Sequence, residues 1–283
     1  MDRRSFLTIS LALGVTPAQL WSASSAQDVI AIGGDVTEII YALGQGHRLV
    51  ARDATSTFPP AAQELPDVGY MRRLSAEGVL SFAPKLIVSA EGAGPPEVID
   101  ILRAASVEFA EVPEGYDTDA IVRKIETAGS ALEVQDRAEA LAAETRSELD
   151  KALDRAARRE NQKVRVMFIL STQGGRILAS GTGTGANGII EMAGGVNAVS
   201  SFEGYKPLSD EAASAAAPDV ILMMNRNGDH ASTDAELFGL PALSVTPAAA
   251  TRNVVRMDGL FMLGFGPRTA KAVTALNRAL YPT

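Results

Sequence analysis

The chain of 283 residues contains no cysteine, which excludes disulfides, cysteine-based zinc sites and thiol nucleophiles together. Two histidines, His47 and His230, are too few for a multi-histidine metal centre. There is one tryptophan, Trp21, so any aromatic cage would have to be built without indole. No block of like charge is present, and a formal charge of −8 opposes binding to a phosphate backbone, which needs a basic face. Also missing are a Gly-x-Ser-x-Gly elbow and a paired-histidine motif, so an exported α/β hydrolase, the enzyme alternative, finds no supporting motif. The run Ser180-Gly181-Thr182-Gly183-Thr184-Gly185 resembles a phosphate cradle only superficially. No Gly-Lys-Ser/Thr follows it, and it reads as a tight turn opening a helix through Ile189 and Ile190.

What is present begins with residues 1–26. Arg3-Arg4-Ser5-Phe6-Leu7 gives a positive start, Leu7 to Leu20 is mostly apolar, and Ser24-Ser25-Ala26 supplies small residues before a cleavage point. This is the layout of a secretory signal, of possible twin-arginine type; Gly14 and Pro17 argue against a buried helix there. Export to the periplasm, with cleavage near Ala26, is the expectation.

Beyond residue 26, short apolar runs alternate with helical stretches. Val29 to Ile32, Leu86 to Val88 and Val107 to Val112 read as strands, each leading into or out of an amphipathic segment. Such alternation predicts parallel sheets covered by helices. Between Glu133 and Glu160 the spacing of Val134, Ala138, Leu141, Thr145, Leu149, Ala152 and Ala156 is helical, with neither glycine nor proline inside. The expected organisation is an N-terminal α/β lobe at 27–132, a connecting helix at 133–160 and a C-terminal α/β lobe at 161–283.

The two lobes echo each other. Ser75-Ala76-Glu77 precedes Pro84 by the same nine-residue interval, counted from the serine, that separates Ser209-Asp210-Glu211 from Pro218. Gly69-Tyr70 and Gly204-Tyr205 stand just upstream in each copy. Ser75 and Ser209 are natural N-caps, and Glu77 and Glu211 sit where the helix dipole favours a carboxylate. Two lobes on a stiff helix leave a cleft where ligands commonly bind.

The repeat, the helix and the export signal together resemble the class III periplasmic binding proteins that serve haem, siderophore and cobalamin importers. The resemblance spans the mature chain. Four segments in the family's order resemble the haem-binding branch: Gly69 to Gly78, Glu91 to Pro96, Gly204 to Ser209, and Met257 to Leu260 with Leu263 to Arg268. The implied fold is two Rossmann-like lobes with parallel sheets joined by one long helix. The implied function is delivery of haem, the cargo rather than a catalytic cofactor, to the permease dimer of an ABC importer, by a monomeric receptor. The resemblance makes Tyr70 the axial ligand of the haem iron. It makes Arg72 the guanidinium that favours the phenolate, with Arg73 and Arg226 as partners for propionates. It places Gly92 and Gly94 at the ligand, and Glu77 and Glu211 against the permease. On residue type alone Tyr70 reads equally as a packed loop aromatic, and both arginines as solvated. The strand after the connecting helix, Phe168 to Gln173, carries no histidine, so one haem per chain is expected. His230 reads as a solvated loop residue, and Tyr205, followed by Lys206-Pro207, as part of the cleft wall. A ferric siderophore or cobalamin is the alternative cargo.

Overall fold

The computed structural model describes residues 27–158, 163–225 and 232–282. The signal-like residues 1–26, and Arg226 and His230, lie outside the described residues. The N-terminal lobe runs β1 (Val29–Ile32), α1 (Gly34–Ala42), β2 (Leu49–Arg52), α2 (Ala76–Leu80), β3 (Leu86–Ala90), α3 (Pro96–Ala104), β4 (Glu108–Val112) and α4 (Thr118–Ala131). Its four strands are all parallel, in the order β2-β1-β3-β4. β1 and β3 are buried along their whole length, as expected for strands covered on both faces. Their side chains divide by the two-residue period: Val29, Ala31 and Val88 join one apolar cluster, and Ile30, Ile32 and Ile87 join the other.

A tight turn follows α4, with Gly129 so close to Ala138 that a Cβ there would clash. The chain then enters α5 (Gln135–Ala157). Ala138, Ala142, Thr145, Leu149, Ala152 and Ala156 form its buried stripe, mostly small residues that let the helix lie close on its neighbours.

The C-terminal lobe continues β5 (Arg165–Ser171), β6 (Ile177–Ser180), α6 (Gly185–Met192), β7 (Val196–Asn197), β8 (Tyr205–Leu208), α7 (Asp210–Ala215) and β9 (Val220–Met224). It ends with α8 (Asp234–Gly239), α9 (Pro241–Ser244), α10 (Pro247–Thr251), β10 (Val254–Met257), α11 (Gly259–Leu263) and α12 (Thr269–Leu280). Strands β10, β9 and β5 are parallel, as expected, but the sheet is extended by β6 and β8, which run antiparallel. Pro207, which cannot donate to a ladder, sits in β8 at the sheet edge, where that loss is tolerated. α5 packs against α4 of one lobe and α12 of the other. One apolar cluster runs continuously from Val29 through Leu149 to Leu280, so the lobes share a core.

The lobes are also tied directly. Gly34 at the start of α1 approaches Leu260 so closely that a Cβ would lie 2.6 Å from its side chain. One turn further, Arg268 donates from Nε and a terminal nitrogen to Glu38 Oε2 at 2.9 and 2.7 Å, and its backbone N–H reaches Oε1 at 3.2 Å. The guanidinium stacks over Phe58 at 3.5 Å. Lys124, 4% exposed, donates to Asp35 at 2.7 Å and to the Gly264 carbonyl at 3.4 Å. Removing one member of such a buried pair leaves the other desolvated without compensation. Glu38→Ala is therefore expected to lower the unfolding free energy by about 3 kcal/mol, read from the urea midpoint. A change below about 0.5 kcal/mol, the range of an ordinary surface substitution, would show that the tie contributes little.

Candidate ligand cleft

The carboxyl ends of the parallel strands of both lobes converge on one cavity of about 420 Å3. Clefts at these ends are where open α/β sheets bind ligands. From the N-terminal lobe come Gly34 after β1, Thr55 after β2, Glu91 after β3 and Pro113 after β4; Met224 and Asp258 arrive from the ends of β9 and β10. The apolar wall is Met71, Val112, Leu260 and Leu263, and the floor carries the Lys124–Asp35 pair.

Asp53, fully buried, organises the N-terminal side. Its carboxylate accepts from the Gly33 N–H at 2.9 Å, the Thr55 N–H at 2.9 Å, and the Thr55 and Ser56 hydroxyls at 2.7 Å each. Gly33, at φ +113°, takes a backbone conformation that L side chains rarely adopt, and a Cβ there would also strike Ala90.

The Tyr70 loop is braced at several points. Gly69, at φ +98°, accepts from the Ala54 N–H at 2.9 Å, and the Arg73 N–H closes a turn on the Tyr70 carbonyl at 2.7 Å. The Gly94 N–H donates to the Met71 carbonyl, and the Leu74 N–H to the Gly94 carbonyl, each at 2.9 Å. Buried Leu74 anchors the far end. The outcome is a rigid loop that presents Tyr70, 46% exposed, together with Met71 and Arg72 to the cavity. Arg73 is exposed and absent from the cavity lining. Gly92 and Gly94, expected at the ligand, do not line it either. Gly94 is a brace for the Tyr70 loop, and Glu91 is the residue of that segment that faces the cavity.

Between β4 and α4, Tyr116 packs edge-on against Phe265 of the C-terminal lobe at 5.1 Å, and its backbone and Cβ sit where side chains at Gly188 would be. Its hydroxyl donates to Glu114 Oε1. Burial, then the bond and negative charge of Glu114, push the Tyr116 phenol well above its usual value, while Arg72 pulls it back. Tyr205, edge-on to Phe168 at 6.2 Å, is also raised, chiefly by burial. The Thr184 hydroxyl, the Ala186 N–H and Arg72 oppose that shift. The Arg72 charge thus reaches tyrosines of both lobes. Tyr205, expected in the cleft wall, is not among the residues that line the cavity.

Glu77 and Glu211 are both exposed in the first turns of α2 and α7, capped by Ser75 and Ser209. The Glu211 carboxyl is held below its ordinary value by its own backbone N–H and the Ser209 hydroxyl. Sequence reasoning missed Asp35, Glu114, Tyr116, Lys124 and Met224. Each looks like an ordinary helix or loop residue until the lobes meet; for Lys124 and Asp35, 89 positions apart, no local signal exists.

A shared-core, two-lobed α/β molecule with a cleft at its strand ends defines a ligand-capturing receptor. The chain belongs to the periplasmic binding protein family, whose model matches residues 29–259. Its fold is similar to that of the periplasmic haem-binding protein BhuT solved with two haems: 41% identity, TM-score 0.86, covering 90% of this chain and 98% of that one. The haem-binding protein RhuT from Roseiflexus sp. RS-1 is similar at 38% identity with the same TM-score and coverage. A vitamin B12-binding protein of Yersinia pseudotuberculosis is 26% identical over 88% of this chain and 85% of its own length. All three relatives are ligand-binding proteins by description.

The raised tyrosines carry a prediction. Above pH ~10, where an unfolded tyrosine ionises, the folded state retains protons that the unfolded state loses, so stability falls as pH rises. A near-ultraviolet phenolate titration should show one group ionising well after the others, and Tyr116→Phe should remove it. A late group that persists in that variant would assign the shift elsewhere.

Proposed function

We propose that this protein is an exported receptor that binds haem in the interlobe cleft through Tyr70 and passes it to the permease dimer of an ABC importer. The observation that carries the reading is a phenol held by a braced loop at the wall of an apolar cavity, in a fold matched at 41% identity by a haem-bound protein. Phenolate oxygen is a known axial ligand of ferric haem, and the flat ring requires apolar walls such as Met71, Val112 and Leu260. Arg72, which lines the same cavity as Tyr70, is the guanidinium that would accompany the iron-bound phenolate. Arg73, and Arg226 two positions after the end of β9 in the sequence, are the partners for propionates. Residues 1–26 act as the export signal. Cobalamin is the second reading, favoured by the vitamin B12-binding relative.

Haemin titration by absorbance tests this. Wild type is expected to give a high-spin ferric, tyrosinate-type spectrum at one haem per chain. Tyr70→Ala should weaken binding on the order of 100-fold, and Arg72→Ala roughly tenfold. An unchanged haemin spectrum with wild type, alongside a cobalamin-induced rise in Tm, would replace haem by a corrinoid. Full affinity in Tyr70→Ala would remove the ligand assignment.

Glu77 and Glu211 serve as the docking carboxylates, one per lobe. Charge pairs at a rim chiefly set orientation and encounter rate. The double variant Glu77→Ala/Glu211→Ala should therefore keep its haemin affinity while uptake by vesicles carrying the cognate importer falls roughly tenfold or more. Undiminished uptake would refute docking through these residues.

A further inference from the structure

The cleft holds a second phenol. Tyr116 lines the same cavity as Tyr70 and Arg72, and so do Glu91 and Glu114. Its place is set from both lobes. The link from β4 to α4 is pressed onto that helix at Gly115, where a Cβ would clash with that of Ala120. Asp117 then caps the helix by accepting the Ala120 N–H at 2.7 Å. From the C-terminal lobe, Phe265 meets the ring edge-on, and Gly188 in α6 leaves room where a Cβ would lie 2.7 Å from the Tyr116 Cβ. A phenol fixed in this way at the cavity wall is a chemical rival to Tyr70 for ferric iron.

The Tyr116 hydroxyl is already engaged. It donates to Glu114 Oε1, and an ionised carboxylate is among the strongest acceptors an O–H can find. Glu114 is itself held. Its N–H donates to Glu91 Oε2 at 2.7 Å, and the Glu91 N–H donates to the Val112 carbonyl at 2.8 Å. Coordination of iron by a tyrosine forms an Fe–O bond and releases the phenol proton to solvent. At Tyr116 that proton lies between two oxygens, and its loss would leave a phenolate facing a carboxylate at hydrogen-bond distance. Like charges so placed disfavour the ionised form. Burial, Glu114 and Tyr205 keep the proton on Tyr116 against the pull of Arg72. Tyr70 instead stands 46% exposed on its braced loop.

We infer that Glu114 decides which phenol the cargo iron meets: by engaging the Tyr116 hydroxyl it reserves coordination for Tyr70. The inference rests on the haem reading and deepens it. Selection of one ligand is achieved by disabling its competitor as well as by presenting the chosen group. Glu114 is thus a positioning residue, which acts through Tyr116 without touching the iron. A single available phenol gives the ring a single seat in the cavity.

The test titrates haemin by absorbance into wild type, Tyr70→Ala, Tyr70→Ala/Glu114→Ala and Tyr70→Ala/Glu114→Ala/Tyr116→Phe. Tyr70→Ala should lose the tyrosinate absorption. Adding Glu114→Ala should restore that absorption and recover roughly tenfold in affinity, and adding Tyr116→Phe should abolish both gains. Glu114→Gln, which keeps an acceptor without the charge, should restore less, and it carries the comparison should the alanine variant not fold. In the cargo-free protein, Glu114→Ala should move the late phenol ionisation to lower pH. Four outcomes overturn the inference while leaving haem binding itself intact. They are a tyrosinate band already present in Tyr70→Ala, a double variant that behaves as Tyr70→Ala does, a restored band that survives Tyr116→Phe, and an unmoved late ionisation. Failure of wild type to bind haemin at all refutes the haem reading and this inference together, and is recognised because no variant is involved.

Discussion

The segment from Leu260 to Arg268 lies directly on the first helix of the N-terminal lobe. It can do so because Gly34 has no side chain where Leu260 packs and Glu38 offers a carboxylate where Arg268 arrives. Lys124 completes the contact from a third helix, joining Asp35 to the Gly264 carbonyl. Charges this deeply buried gain little net stability over well-packed apolar groups, but they tolerate few alternative arrangements. Together with the apolar cluster shared by both lobes and α5, they fix how the two sheets face each other. Everything in the cleft inherits that geometry.

The cleft therefore joins a rigid floor to rims made of loops. The floor is made of strand ends and the first residues of helices, whose backbone groups are bonded into the lobes. Chemistry is concentrated in the loops, which a rigid scaffold can position without being altered by them. The Tyr70 loop shows how this is done: a left-handed glycine, a turn, and two bonds to Gly94 hold an aromatic side chain half in solvent. The opposite wall uses thin glycine faces at Gly185 and Gly188 to admit Tyr116 and Phe265 between the lobes.

Much of the fold was legible because its signals are local. Strands covered on both faces must be apolar throughout, so β1 and β3 are visible as runs of valine, isoleucine, leucine and alanine. The caps at Ser75 and Ser209 are visible because a serine oxygen meets an N–H only three residues away. The antiparallel pair β6 and β8 was not. β8 is an exposed edge containing proline, and nothing in Tyr205 to Leu208 distinguishes it from a loop until Ser180 lies beside it. In the site, Tyr70 and Arg72 carried a recognisable motif. Gly92 and Gly94 belonged to a motif of the same strength, yet neither lines the cavity, and Gly94 braces the Tyr70 loop instead.

By itself, then, the sequence determined the alternation of strands and helices, the long Ala-rich strut, the paired capped glutamates and the glycine-flanked Tyr70 segment. All of these follow from periodicity and backbone preference over a few residues. Only the tertiary structure decided that Lys124 meets Asp35 and that Arg268 meets Glu38 across 230 positions. Such pairings depend on where two lobes come to rest, and that position follows from burying one common apolar core, a property of the whole chain that no short segment contains.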